Sequence, residues 1–119
     1  MTKFNMCDRL LRIINDIKEF SRKRDWEKFH DPKNLALSLV LESAEVLELF
    51  QWTKDNQINP KRAQNIKDEL ADVFYWVLKL ADYYHIDILE ALVQKMEKNR
   101  KKYPIKKVKG KANKYNELD

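Results

Sequence analysis

Apolar residues at Cys7, Leu10, Leu11, Ile14, Ile17 and Phe20 recur at three- and four-residue intervals, the repeat of one face of an α-helix. They predict a first helix ending near Ser21–Lys23, with Cys7 on its apolar side as a core residue. A polar connector with embedded aromatics follows (RKRDWEKFH). Asp31-Pro32 then supplies an N-cap residue and a proline for the first turn, opening a second helix that runs to about Trp52. After a short polar loop, Asn59-Pro60 repeats that start signal. Ile66, Leu70, Val73, Phe74, Val77, Leu80, Ala81 and Tyr84 carry a third helix to about Tyr84. Asp87 with Glu90 three residues later matches a capping box, with Asp in place of Ser or Thr, and opens a fourth helix. It fades near Tyr103-Pro104, because the residue before proline disfavours helix. No stretch alternates apolar and polar residues for long, so no strand is expected and the fold class is all-α. The pattern divides the chain into one helical domain over 1–104 and an extended basic tail over 105–119, rich in lysine and without a core of its own.

Composition narrows the chemistry. At 119 residues and 44% hydrophobic, the chain can bury one core and is too short for two. Its single glycine, Gly110, excludes both the glycine-rich phosphate loop and the dinucleotide-binding turn, so any phosphate must be held by side chains and metal. One cysteine excludes a disulfide framework and a cysteine-rich metal site. No segment has the apolar stretch of a signal peptide, and no apolar run approaches the ~20 residues that span a bilayer. A soluble, cytoplasmic protein without membrane partners is expected. The net charge of +5 is unevenly spread: ten basic residues and one acid fall between Lys95 and Lys114, leaving the body before them slightly acidic.

That acidic character concentrates where the chain is most apolar. Asn34 to Thr53 contains no Lys or Arg, although roughly four would be expected in such a window, and Asp68 to Leu78 is likewise base-free. Glu42 and Glu45 lie in the first run, Glu69 and Asp72 in the second, each pair one helical turn apart on a shared face. Acid pairs at this spacing occur five times in the chain, and spacing alone fits a solvated acidic face as well as a metal site. The apolar, base-free setting distinguishes these two pairs, because a carboxylate in such surroundings is costly unless paired, protonated or bound to a cation. If the second and third helices are antiparallel neighbours, the pairs face each other. Oxygen-only ligands then select a hard ion, Mg²⁺ with Mn²⁺ as a substitute. Neither His30 nor His85 completes a Glu-x-x-His motif on the second or third helix, which disfavours a di-iron centre. Such a site suits phosphoryl or nucleotidyl hydrolysis. Lys95, Asn99, Lys102 and Tyr103 are candidate phosphate partners, and Trp26, Trp52 and Trp76 are candidate stacking surfaces for a base, with core filling the equal alternative for Trp76.

Together these residues resemble the all-α nucleoside triphosphate pyrophosphohydrolases of the MazG-like superfamily, whose signature is E-x-x-E, a gap, then E-x-x-D. Glu42-Ser-Ala-Glu45 and Glu69-Leu-Ala-Asp72 fit it. RDWEKFHDPKNLAL, ELFQW, DELADVFYW, KMEKNRKKYP and KYNEL, in order between Arg24 and Leu118, are similar to the dCTP pyrophosphatase branch. The resemblance implies a four-helix MazG-like bundle and a Mg²⁺-dependent enzyme converting a nucleoside triphosphate, dCTP or a modified dCTP, to monophosphate and pyrophosphate. It implies Glu42, Glu45, Glu69 and Asp72 as metal ligands. Trp26, Glu27, Lys28, Phe29, His30, Trp52 and Trp76 would line the base and sugar pocket. Lys95 and Asn99 would meet phosphate, with Tyr115 folding back from the tail. Trp76 stands where that branch often carries tyrosine. Leu41 stands where the superfamily often has a further glutamate, so Glu42 or Glu45 is left as the base for an attacking water. The resemblance also implies a homo-oligomer, dimeric or tetrameric.

Two other classes compete. The basic C-terminal segment fits a helical nucleic-acid-binding module, against which the acidic body and the lack of a helix-turn-helix pattern weigh. A non-catalytic nucleotide-binding protein would share the site and lack turnover.

Overall fold

The computed structural model describes residues 7–54, 57–58, 60–112 and 115–117, and among them every regular element is helical. Helix α1 spans Asp8–Lys23, α2 Pro32–Glu48, α3 Ala63–Tyr83, α4 Ile88–Lys102, and a single helical turn, α5, Ile105–Val108. Short 3₁₀ turns occupy Glu27–Phe29, Pro60–Arg62 and Tyr115–Glu117. The four long helices agree with the all-α expectation. Among the described residues, no helix is long and apolar enough to cross a membrane.

Two helix starts follow the sequence signals, whereas Pro60 opens a 3₁₀ turn and α3 itself begins at Ala63, with Asn59 outside the described residues. The Asp31 side chain accepts a hydrogen bond from the Asn34 N–H at 2.8 Å, and that of Asp87 from the Glu90 N–H at 3.1 Å, each satisfying an amide with no intrahelical partner. Two helix stops are less ordinary. At the end of α1 the Asp25 N–H bonds the Arg22 carbonyl (3.1 Å) and the Trp26 N–H bonds the Ser21 carbonyl (3.0 Å). At the end of α3 the His85 N–H bonds the Asp82 carbonyl (3.0 Å) and the Ile86 N–H the Ala81 carbonyl (2.8 Å). Both are Schellman turns, which favour glycine at the left-handed position. In a chain with one glycine, Asp25 and His85 occupy it at φ 55°.

The chain divides into two compact units, one of Cys7–Ile86 and one containing the described residues from Asp87 onward. In the first unit α3 packs along α2 and against α1. Leu10 and Ile14 of α1, Leu35 of α2, Leu49 just beyond it, and Leu78 and Ala81 of α3 form its buried core, with Leu35 and Leu78 only 1% and 2% exposed.

Two features depart from the sequence reading, and a third extends it. Cys7 is exposed: it is the extended N-cap residue of α1 (φ −66°, ψ 150°), one position before the helical face begins. Helix α2 ends at Glu48 rather than Trp52, closing in successive turns that leave Trp52 at φ 65° and 91% exposed. Helix α2 is also apolar on more than one side. Leu35 enters the core while Leu37, Val40, Leu41 and Leu47, spaced along another face, are each more than half exposed.

Candidate functional site

Helices α2 and α3 run antiparallel, so their acid pairs meet in register. Ligand-capable oxygens of Glu42, Glu69 and Asp72 all lie within 4.8 Å of one another. Glu45 adds to them as the leading influence on the Glu69 carboxyl. One carboxylate oxygen each of Glu42 and Glu69, both Oε2, is buried without a hydrogen-bond partner. Such an arrangement opposes ionisation. The Glu69 carboxyl is pushed up from its ordinary 4.5 to about 7, first by the influence of Glu45, then by burial, then by the charges of Glu45, Asp72 and Glu42. Burial raises the Glu42 pKa too, followed by the influence of Glu45 and the charge of Asp72, while the nearby Trp76 indole pulls it back. No lysine or arginine of either base-free run offsets this charge. Crowded carboxylates with orphaned oxygens fit a hard divalent cation, which would restore both the charge balance and the missing partners.

Two concavities flank the cluster. One, of about 430 Å³, reaches Glu42 and Asp72 and is walled by Ile17 and Phe20 of α1, Trp26 after it, and Tyr75 and Trp76 of α3, with Asp16 at its edge. Trp26 stands edge-on to Phe20 at 5.7 Å, and Trp76 edge-on to Tyr75 at 4.9 Å and to His30 at 5.6 Å. The other, of about 270 Å³, reaches Glu45 and Glu69 and is lined by Glu48, Leu49, Gln51, Arg62 and Asn65.

The connector residues divide. Trp26 enters the aromatic wall. His30 sits behind Trp76, half-buried, with Nδ1 lacking a partner; burial and then the Lys79 ammonium lower its pKa, against the pull of Glu27. Glu27 and His30 border a separate recess of about 250 Å³ with Lys79 and Asp82. Lys28 pairs with Asp25 at 2.9 Å and lies over the exposed Phe29 ring. Trp52 lines neither concavity that flanks the cluster. Lys95 (exposed) and Asn99 (half-buried) lie on α4 in the second unit. Tyr115 begins a 3₁₀ turn, and its side chain lies outside the described residues.

Several residues at the site carry no motif. Tyr75 is the neighbour of Trp76, and Phe20 was legible only as core periodicity. Arg62 sits where a proline start signal hides it. Behind Tyr75 lies a buried polar anchor: Lys79 Nζ donates to Ser21 Oγ at 2.7 Å, and Ser21 Oγ lies 3.4 Å from the Tyr75 hydroxyl, although Ser21 is 0% exposed.

Residues 37–118 match the MazG-like family. Mouse dCTP pyrophosphatase 1 is 42% identical over 105 residues, covering 84% of this chain and 62% of that protein. The human dCTP pyrophosphatase 1 is 39% identical over the same length and shares. The chain thus spans less than two thirds of these curated relatives. A crystal structure of a pyrophosphatase from Archaeoglobus fulgidus superposes with a TM-score of 0.77 at 37% identity, covering 87% of this chain and 99% of that one.

Proposed function

The chain belongs to the MazG-like family, and from that premise we propose that it is a divalent-cation-dependent nucleoside triphosphate pyrophosphohydrolase, releasing pyrophosphate from dCTP or a base-modified dCTP. The observation that carries this reading is the convergence of Glu42, Glu69 and Asp72, with two carboxylate oxygens buried and unpartnered. Glu42, Glu45, Glu69 and Asp72 are the residues to hold Mg²⁺, or Mn²⁺ in its place. Held there, such an ion supplies neutralisation of phosphate oxygens and makes water more acidic. The chain's own residues do the rest. Trp26 and Trp76 offer ring faces and edges to the base. The Trp76 indole steadies the Glu42 carboxylate. Glu42 or Glu45 accepts the proton of the attacking water. The deoxycytidine preference is supported by the identity to the dCTP pyrophosphatases.

Assembly is part of the proposal. The exposed face Leu37, Val40, Leu41 and Leu47 is more apolar than a solvated helix face ordinarily is, which supports a homo-oligomer, dimeric or tetrameric. Sedimentation as a monomer would refute that assembly.

Incubating the protein with each deoxynucleoside triphosphate and Mg²⁺ tests the activity. Pyrophosphate should appear, with dCTP giving the highest kcat/KM, and Glu45→Gln or Asp72→Asn should lower kcat by roughly 10²-fold or more. Wild-type rates in both variants would overturn the site.

A further inference from the structure

We propose that the polar concavity beside Glu45 and Glu69 is the subsite for the β- and γ-phosphates, the part of the substrate that leaves as pyrophosphate, and that Arg62 is its anchor. The inference rests on the pyrophosphohydrolase reading and adds the direction in which the substrate lies. The carboxylate cluster has two unlike sides. Glu42 and Asp72 face the aromatic concavity, and Glu45 and Glu69 face the polar one. A nucleotide whose base occupies the aromatic side would bring its phosphates toward Glu42, Glu69 and Asp72, the residues that would hold a cation and let it neutralise phosphate charge. A chain of three phosphates that enters from one side continues toward the other.

The lining of the second concavity suits that end of the molecule. Leu49 is its one apolar member; Glu48 adds a third carboxylate beside Glu45 and Glu69, while Gln51 and Asn65 carry amide donors and Arg62 a guanidinium. Among the described residues, Arg62 is the one basic side chain on either wall flanking the cluster. Its guanidinium is planar, permanently charged and shaped to grip two phosphate oxygens at once. Its structural duty is slight: among the described residues its hydrogen bond is a 3.4 Å contact from one guanidinium nitrogen to the Glu48 carbonyl, long for an N–H···O bond. Among the described residues its other donors have no hydrogen-bond acceptor and can turn toward a ligand. When the bond to the α-phosphate breaks, negative charge builds on the departing diphosphate, and a fixed cation there stabilises the charge as it develops.

Calorimetric titration of inorganic pyrophosphate with Mg²⁺ into the full chain tests the subsite without requiring turnover. The wild type should bind, and Arg62→Ala should bind at least about tenfold more weakly, the equivalent of one charge-assisted hydrogen bond. Arg62→Lys, which keeps the charge and loses the fork, should fall between them, and nucleoside monophosphate should bind all three alike. In turnover, Arg62→Ala should lose inhibition by added pyrophosphate to the same extent. Equal pyrophosphate affinity in wild type and Arg62→Ala, or no binding by the wild type, overturns the subsite. Absence of turnover in a wild type whose pyrophosphate binding depends on Arg62 instead overturns the catalytic reading and leaves the subsite standing.

Discussion

Lys79 Nζ lies 2.7 Å from Ser21 Oγ, joining α3 to the last turn of α1 across 58 positions of sequence. The serine is wholly buried, and burial lowers the lysine's pKa, so the ammonium relies on the serine hydroxyl as an acceptor while the serine has the Tyr75 hydroxyl as a second neighbour. Ser21→Ala leaves the ammonium without its acceptor and should cost about 1–3 kcal/mol. Lys79→Met removes the charge and leaves Ser21 beside the Tyr75 hydroxyl, and should cost less. Chemical denaturation of the two variants checks the order; a cheaper Ser21→Ala would remove the anchor from the account.

The carboxylate cluster sets a pH dependence whose sign is fixed. The Glu69 carboxyl, at about 7 when folded against 4.5 ordinarily, binds more protons folded than unfolded between those values. Stability therefore falls as pH rises through that window. In EDTA the melting temperature should drop from pH 4.5 to about 7, and millimolar Mg²⁺ should flatten the slope by replacing protons with a cation. Glu69→Gln should flatten it without metal. A melting temperature independent of pH in EDTA would contradict the proximity of these acids.

The aromatic wall gives a binding prediction. Trp26→Ala removes a ring that lines the larger concavity and should raise KM for dCTP by roughly 10-fold, as for the loss of one stacked base contact, with kcat nearly unchanged. Phe29→Ala, at a residue that is 57% exposed and lines neither concavity beside the cluster, should change KM far less. Steady-state kinetics on both variants distinguishes a pocket built on Trp26 from one built on the whole connector.

The glycine-poor helix stops predict a gain. His85 holds a left-handed conformation at φ 55° that costs a residue with a side chain roughly 1–2 kcal/mol. His85→Gly relieves this at the expense of a freer unfolded chain, for a net stabilisation of about 0.5–1 kcal/mol. Thermal unfolding checks it, and a lower melting temperature would show that the His85 side chain contributes more than its strain costs.

Local rules made much of this fold legible. The repeat from Leu10 to Phe20 gave α1, and Asp31 and Asp87 marked two helix starts by cap chemistry that needs only neighbours. The acid pairs were visible because i,i+3 spacing and a missing counter-charge are both local. Arg62 and the Ser21–Lys79 anchor were not, because their roles come from the register in which helices distant in sequence cross. Cys7 misled for a related reason: periodicity assigns a face and cannot say at which residue the helix begins. The apolar surplus of α2 exceeds what one helix can present to α1 and α3, which leaves Leu37, Val40, Leu41 and Leu47 facing outward.

Ser21 serves two structures at once. Its carbonyl accepts the Trp26 N–H that closes α1, and its hydroxyl accepts Lys79. The mouth of the aromatic cavity is therefore sprung from a helix end rather than hung on a loose loop. The last turn of α1 and the wall a base would meet share one buried residue.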